Sequence, residues 1–402
     1  MKIYKVAFLV SHPIQYFSPL FKKMAKHPQI DLTIYYCSGE IMKGVKDAGF
    51  GVEVKWDIPL LEGYKYKFLK NYSPIPATLK PLIGLINFGI IREIAKNKYD
   101  AVIVHGWSYV TCALAYMTAI FNRIPVFIRA ESPLSRELTK PKWKILAKKP
   151  LLSALFKQVS SFLAIGRENR EFYKFYGVPD NRIFLTPYAV ENERFIKNYV
   201  DLIDKKDEIK KNLGIPSDKM VILFSGKFID EKRPMDLLLA YEKTSAENKA
   251  LVYVGDGYLR RNLEQYVKKK KLENVYFTGF MNQTEIPGYY VIADIFVLPS
   301  AGENWGLVVN EAMCFHLPVI VSNMGGCAKD LVRHNENGYV YPMGDIDKLS
   351  FYLGDLINDK EKRAGFGKKS LEIVQEYSYE KDVEGIISAL ESKKNDKFHR
   401  DF

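Results

Sequence analysis

Cysteine is scarce in this chain of 402 residues: there are four, Cys37, Cys112, Cys314 and Cys327. They are scattered, without the close pairing that a zinc site or a disulfide framework requires. The thiols are therefore expected as small buried hydrophobes in a reducing compartment. Long apolar runs are missing too. No stretch reaches the roughly 18 uninterrupted apolar residues of a membrane span. The longest candidates, around PLIGLINFGII and CALAYMTAIF, have the length of buried helices. The opening MKIYKVAFLVSHPIQ has too short an apolar run and no small-residue cleavage site, so it reads as a first β-strand rather than a signal peptide. A soluble, cytoplasmic protein is expected. No repeat of about 20–50 residues is visible, which excludes a solenoid. The six histidines are dispersed and form no metal constellation.

What is present is a globular composition, 47% hydrophobic and 26% charged, on a chain long enough for two domains of roughly 150–200 residues. The net charge of +12 favours an anionic partner: nucleic acid, an acidic membrane surface or a phosphorylated small molecule. Short apolar runs alternate with helical patterns almost throughout. Strands are expected at 5–10, 30–36, 99–105, 124–130 and 160–166. After a polar, lysine-rich break at 196–212 they follow at 219–226, 250–257, 274–280, 294–300 and 317–323. Each run is unbroken rather than alternating, as in parallel strands covered on both faces. Segments such as RPMDLLLAYEKTSAE and YLRRNLEQYVKKKKLE carry apolar residues at helical spacing. The pattern predicts two doubly wound, Rossmann-like α/β domains joined near 190–215, facing across a cleft.

Ligands of open α/β sheets bind outside the carboxyl ends of the strands, and charged residues gather there. After KMVILFSG, Gly226 leads to Lys227, Lys232 and Arg233 in a loop that enters a helix. Cations beside a helix N-terminus suit a diphosphate, although a solvated basic turn has the same composition. GDG at 255–257 permits close backbone approach, but a tight turn explains it equally well. After DIFVLPS come Glu303 and Glu311, with seven residues between them. Glu303 lies in a loop with Asn304, Trp305 and Gly306, and Glu311 lies one turn into a helix expected over 307–315. One acid can meet a sugar and the other can grip a ribose hydroxyl pair. The backbone N–H groups around Asn304, Trp305, Gly306 and Leu307 can face a diphosphate.

The run PSAGENWGLVVNEAM…LPVIVSNMGG resembles the E-x7-E signature of the retaining nucleotide-sugar glycosyltransferases of family 4, which have the GT-B fold. SGKFIDEKRPMDLLLAY and VGDGYLRRNLE resemble that family's neighbouring landmarks, in the same order, over most of 215–395. The resemblance implies an N-terminal acceptor-binding domain (1–200), a C-terminal nucleotide-sugar-binding domain (201–376) and a last helix (377–402) crossing back to the first. It implies that Lys227 and Lys232 hold the donor diphosphate, that Glu303 sits at the donor sugar and that Glu311 sits at the ribose. His105, which ends AVIVH, would stand beside the donor sugar, making Glu303, His105 and Lys232 the catalytic candidates. Two positions depart from the family. Lys227 stands where arginine is more common, so the charge survives but the bidentate fork is lost. Lys232-Arg233 replaces a lysine-glycine pair, which puts the local turn in question.

The usual glycine-rich first loop is SHPIQYFSPLF here, whose His12 and Gln15 follow the first strand and are expected to face the cleft. Arg129 and Glu131 end a later strand, either as an internal ion pair or as acceptor contacts. Asp345 and Asp347 form a DxD, a metal signature of a different glycosyltransferase fold. They precede an apolar-periodic helix, so capping is expected and no metal is. The segment 135–157 mixes Lys140, Lys142, Lys144, Lys148 and Lys149 with Trp143, Leu146 and Leu151. It reads as a basic amphipathic stretch for an anionic membrane surface, or equally as a helix with a solvated basic face. With the charge clustered there and not along an aromatic groove, nucleic acid is not expected. The implied activity is metal-independent transfer of a sugar from a nucleoside-diphosphate sugar, the co-substrate, to a glycan or lipid-linked hydroxyl, with no cofactor. A nucleotide-sugar epimerase, or a non-catalytic nucleotide-sugar-binding protein at the membrane, are the competing readings.

Overall fold

The computed structural model describes residues 2–47, 49–75 and 81–398. It falls into two compact units, the first made of 1–45, 59–188 and 379–402, the second of 46–58 and 189–378. The second thus takes in 46–58, a segment that the sequence division assigns to the N-terminal domain.

Seven strands form the sheet of the first unit: β1 (Tyr4–Val10), β2 (Ile30–Tyr36), β3 (Lys65–Phe68), β4 (Ala101–His105), β5 (Val126–Arg129), β6 (Ser161–Ala164) and β7 (Ile183–Leu185). All pair in parallel, in the order β3-β2-β1-β4-β5-β6-β7. Alternate side chains of the unbroken apolar runs enter opposite layers. Ala7, Leu9, Val102 and Val104 pack with Ile90, Ala115, Phe156 and Phe172 of the helices on one face. Phe8 points the other way and meets the rings of Phe17 and Phe21 in helix Phe17–Lys26.

The second unit repeats the plan with β8 (Met220–Ser225), β9 (Lys249–Val254), β10 (Val275–Gly279), β11 (Ile295–Leu298), β12 (Val319–Ser322) and β13 (Gly338–Tyr341). They too are parallel, in the order β10-β9-β8-β11-β12-β13. Ile222, Leu251, Ile295 and Ile320 share a core with Leu237, Tyr241, Leu349 and Leu353. Strand order reverses at β8, which places a topological switch point between β8 and β11.

The lysine-rich stretch at 196–212 is not a break. It is helical, over Asn192–Leu202 and again over Lys206–Asn212. Phe195, Tyr199 and Leu202 recur at helical spacing beneath the charges, and Phe195 is buried. Helix Tyr379–Phe398 belongs to the first unit, and 399–402 lie outside the described residues. Asp345 caps helix Ile346–Asn358 by accepting the Lys348 N–H at 2.9 Å, while Asp347 pairs with Lys243. The first aspartate of the DxD is therefore a cap and the second a surface ion pair. All four cysteines are free and buried.

Candidate active site

The two loops that leave β8 and β11 are joined. The Ala301 N–H donates to the Glu231 carbonyl at 2.7 Å, and the Lys232 ammonium forms an ion pair with the Glu303 carboxylate. The Ser300 hydroxyl donates to the same oxygen of Glu303 at 3.2 Å. Two charges 71 positions apart in sequence thus meet at the switch point, both mostly shielded from water. Arg233 holds the left-handed conformation, φ 49°, which favours glycine. Such a conformation costs a non-glycine residue about 1–2 kcal/mol, and here an ion pair from its guanidinium to Asp236 offsets it. Pro234 then opens helix Pro234–Lys243 at the position where its missing N–H costs nothing.

Beside β8, the Gly226 N–H donates to the Val254 carbonyl at 2.9 Å. Gly255 has φ +132°, and a Cβ there would run into the Gly226 carbonyl. The GDG glycine is needed for that close approach of backbones. Lys227 pairs at 2.9 Å with Asp47, from the segment that the second unit borrows.

The loop after β11 enters helix Leu307–Cys314 through Gly306, φ +107°, with Asn304 and Leu307 half-buried on either side. Trp305 turns inward: its indole N–H donates to Asn310 at 2.8 Å and its ring lies 5.9 Å from that of Tyr377. Glu311 is buried one turn into the helix and accepts the Tyr290 hydroxyl at 2.6 Å. Burial pushes its carboxyl up, while Tyr290, Arg194 and Gln283 pull the other way. Arg194 is itself held by Gln283, at 2.8 Å to the side-chain oxygen and 3.1 Å to the backbone carbonyl.

In the first unit, His105 at the end of β4 lies 3.3 Å from the Glu131 carboxylate and 3.5 Å from the Tyr188 hydroxyl. Tyr188 donates to the same Glu131 oxygen, and Tyr16 approaches it at 3.4 Å. Burial, then the Glu131 charge, pushes the Tyr188 hydroxyl well above its usual range. His12 contacts the Ser11 hydroxyl at 3.0 Å. Burial, helped by the neighbouring His105, lowers its imidazole, so it stays neutral at pH 7. Gln15 is half-buried in the turn before helix Phe17–Lys26. Arg129 is buried in an ion pair, with its Nε left without a hydrogen-bond partner. It is 1% exposed, and both terminal nitrogens donate to the Asp382 carboxylate at 2.7 Å. The sequence offered Glu131 as its ion-pair partner; the carboxylate that Arg129 holds is that of Asp382, and Glu131 meets His105 and Tyr188 instead.

The basic stretch 135–157 forms two helices, Leu134–Leu138 and Lys142–Gln158. Leu152 and Phe156 are buried, while Trp143 (66%), Leu146 (68%) and Leu151 (73%) are exposed. Lys140 and Lys148 are taken up by buried Glu137, at 2.7 and 2.9 Å. Among the described residues no helix is long and apolar enough to cross a membrane.

Sequence reasoning passed over Asp47, Tyr290, Arg194 and Gln283. Asp47-Ala-Gly-Phe had the composition of a turn that displays an acid, but nothing in its spacing told which unit would receive it.

Residues 205–373, inside the second unit, match the family described as glycosyl transferases group 1. The fold is GT-B. Among solved structures, HepE of Anabaena in complex with UDP and glucose superposes on this GT-B chain with a TM-score of 0.71 at 17% identity, covering 97% of this chain and 100% of that one. Among curated proteins, the chain is 29% identical over 293 residues to UDP-Gal:alpha-D-GlcNAc-diphosphoundecaprenol alpha-1,3-galactosyltransferase of Escherichia coli, over 70% of this chain and 72% of that one. It is 27% identical over 312 residues to sulfoquinovosyl transferase SQD2 of Arabidopsis thaliana, over 74% of this GT-B chain and 58% of the plant protein. Both of these relatives bear transferase names, and the chain spans 72% of the first and 58% of the second.

Proposed function

We propose that this protein is a retaining glycosyltransferase that moves a sugar from a nucleoside-diphosphate sugar to a hydroxyl of a lipid-linked or cell-surface glycan precursor. The observation that carries this is the Lys232–Glu303 pair at the switch point of the second sheet, inside the stretch that matches group 1 glycosyl transferases. In this reading the second unit holds the donor. Lys227, Lys232 and the N-terminus of helix Leu307–Cys314 neutralise the diphosphate, backbone groups from Gly226 and from Asn304 to Leu307 line it, and no divalent ion is required. Glu303 exchanges its lysine for hydroxyls of the donor sugar, and Glu311 meets the ribose. As the sugar leaves, negative charge grows on the diphosphate, and Lys232 stabilises it. The acceptor attacks the face that the leaving group vacates, assisted by the departing phosphate, which retains configuration.

The first unit is proposed to hold the acceptor, with His12, Gln15 and His105 at its strand ends. Glu131 and Tyr188 orient the His105 ring. The name of the E. coli relative, with its diphosphoundecaprenol-linked substrate, supports a lipid-linked acceptor.

The reading is tested by incubating wild type and Glu303→Ala with a panel of nucleoside-diphosphate sugars, with and without membrane lipid extract, and measuring release of nucleoside diphosphate. One donor is expected to give lipid-stimulated release, and the variant to lose it by about 10²-fold or more. Donor binding without turnover in wild type would sink the transferase reading.

Trp143, Leu146 and Leu151, beside Lys142, Lys144 and Lys149, are proposed as the contact with an anionic membrane. Trp143→Glu with Leu151→Glu is expected to weaken sedimentation with phosphatidylglycerol vesicles by roughly tenfold or more while leaving the melting temperature unchanged. Equal sedimentation of variant and wild type would remove this surface from the account.

A further inference from the structure

The segment 46–58 brings an acid to a lysine that the donor reading needs. Asp47 accepts the backbone N–H groups of Gly49 and Phe50 at 2.8 and 3.0 Å, an Asx turn that fixes its carboxylate. That carboxylate pairs with Lys227 at 2.9 Å, and the ammonium also lies 5.0 Å from the centre of the Phe50 ring. Farther along, Phe50 and Trp56 meet Phe280 edge-on, with ring centres 5.0 and 6.2 Å away. Asn282 donates to the Lys55 carbonyl at 2.7 Å, and the Thr284 N–H donates to Asp57 at 3.1 Å. Lys227 follows β8, and Phe280, Asn282 and Thr284 follow β10, so the segment runs along the strand ends where ligands of such sheets bind.

Burial pushes the Asp47 carboxyl up, but Lys227 and the two N–H groups outweigh it and hold the acid below the usual carboxylate range, so it is charged at neutral pH. Lysine offers a single point charge, and two anions brought to it repel each other.

We propose that Asp47 is an internal competitor for Lys227: its carboxylate occupies the ammonium when no diphosphate is bound, yields it to the donor's diphosphate, and takes it back as the nucleoside diphosphate departs. This rests on the assignment of Lys227 to the diphosphate. Asp47 then sets donor affinity and speeds product release without touching the sugar. Nothing covalent changes; one ion pair is exchanged for another.

The test is a binding cycle by calorimetry on the full chain, with inorganic pyrophosphate and with UDP, GDP and ADP. The proteins are wild type, Asp47→Asn, Lys227→Ala and the double variant. Asparagine keeps an oxygen for the Gly49 and Phe50 N–H groups, so the turn survives and only the charge is lost. Asp47→Asn is expected to tighten pyrophosphate and the preferred nucleoside diphosphate by about fivefold to tenfold. Lys227→Ala is expected to weaken both, and Asp47→Asn to tighten them less in that background, where it relieves only the repulsion between Asp47 and the phosphates. Unchanged or weaker binding by Asp47→Asn, with Lys227→Ala still damaging, overturns the competitor and leaves the donor reading intact. Unchanged binding by Lys227→Ala overturns both, because Lys227 then holds no phosphate. Tightening by Asp47→Asn that is undiminished without Lys227 overturns the proposed partner.

Discussion

Arg129→Met is expected to destabilise the protein by about 3–5 kcal/mol, the usual consequence of stranding one member of a buried ion pair. Arg129 and Asp382 are each 1% exposed and joined by two hydrogen bonds of 2.7 Å. The guanidinium also lies within 5.7 Å of the Phe17 ring centre and 5.2 Å of that of Tyr188. Removing the cation leaves the Asp382 carboxylate with no compensating charge in an apolar layer, so it must ionise at a cost or take up a proton. Asp382→Leu should be about as damaging, by stranding the cation instead. The double variant should recover most of the loss, because replacing both partners by apolar groups of similar volume is often close to neutral. Urea denaturation of the four proteins measures this, and additive losses in the double variant would refute the account.

The second large effect belongs to chemistry. Lys232→Ala is expected to lower kcat by about 10²–10³ with a smaller change in KM, because its charge is needed most when the diphosphate leaves. Lys232→Arg should restore part of the rate, since arginine also delivers a cation to phosphate. Lys232 is paired with Glu303, so the alanine variant leaves that carboxylate facing the diphosphate and adds repulsion to the loss. Steady-state kinetics with the donor found in the screen decides it. A change in KM alone would mean that Lys232 binds donor and transition state equally.

The fold was legible where strands are central. The stretch 30–36 was read to both ends, and 219–226 differs from β8 by one residue at each end, because strands flanked on both sides show as unbroken apolar runs. In the two large sheets the strands that escaped notice were β3, β7 and β13, and each is an edge of its sheet. An edge strand is short or half-wet and need not be apolar: KYKF of β3 is exposed at every residue. The acids and lysines at strand ends could be found from sequence because the topology of α/β sheets says where to look. Their partners could not. Arg129 meets Asp382 across 253 positions and Lys227 meets Asp47 across 180. Neither local propensity nor periodicity reports on pairing at that distance.

The ion pair between Arg129 and Asp382 also orders events in time. A ribosome makes β5 before helix Tyr379–Phe398, with most of the second unit between them. Domains commonly fold as they emerge, N-terminal first, but here the first unit holds a buried cation whose counter-ion has not yet been synthesised. That unit stays incomplete until helix Tyr379–Phe398 follows, by which point every strand of the second unit has been made. The earlier-made unit therefore closes only around a helix synthesised after the strands of the later one.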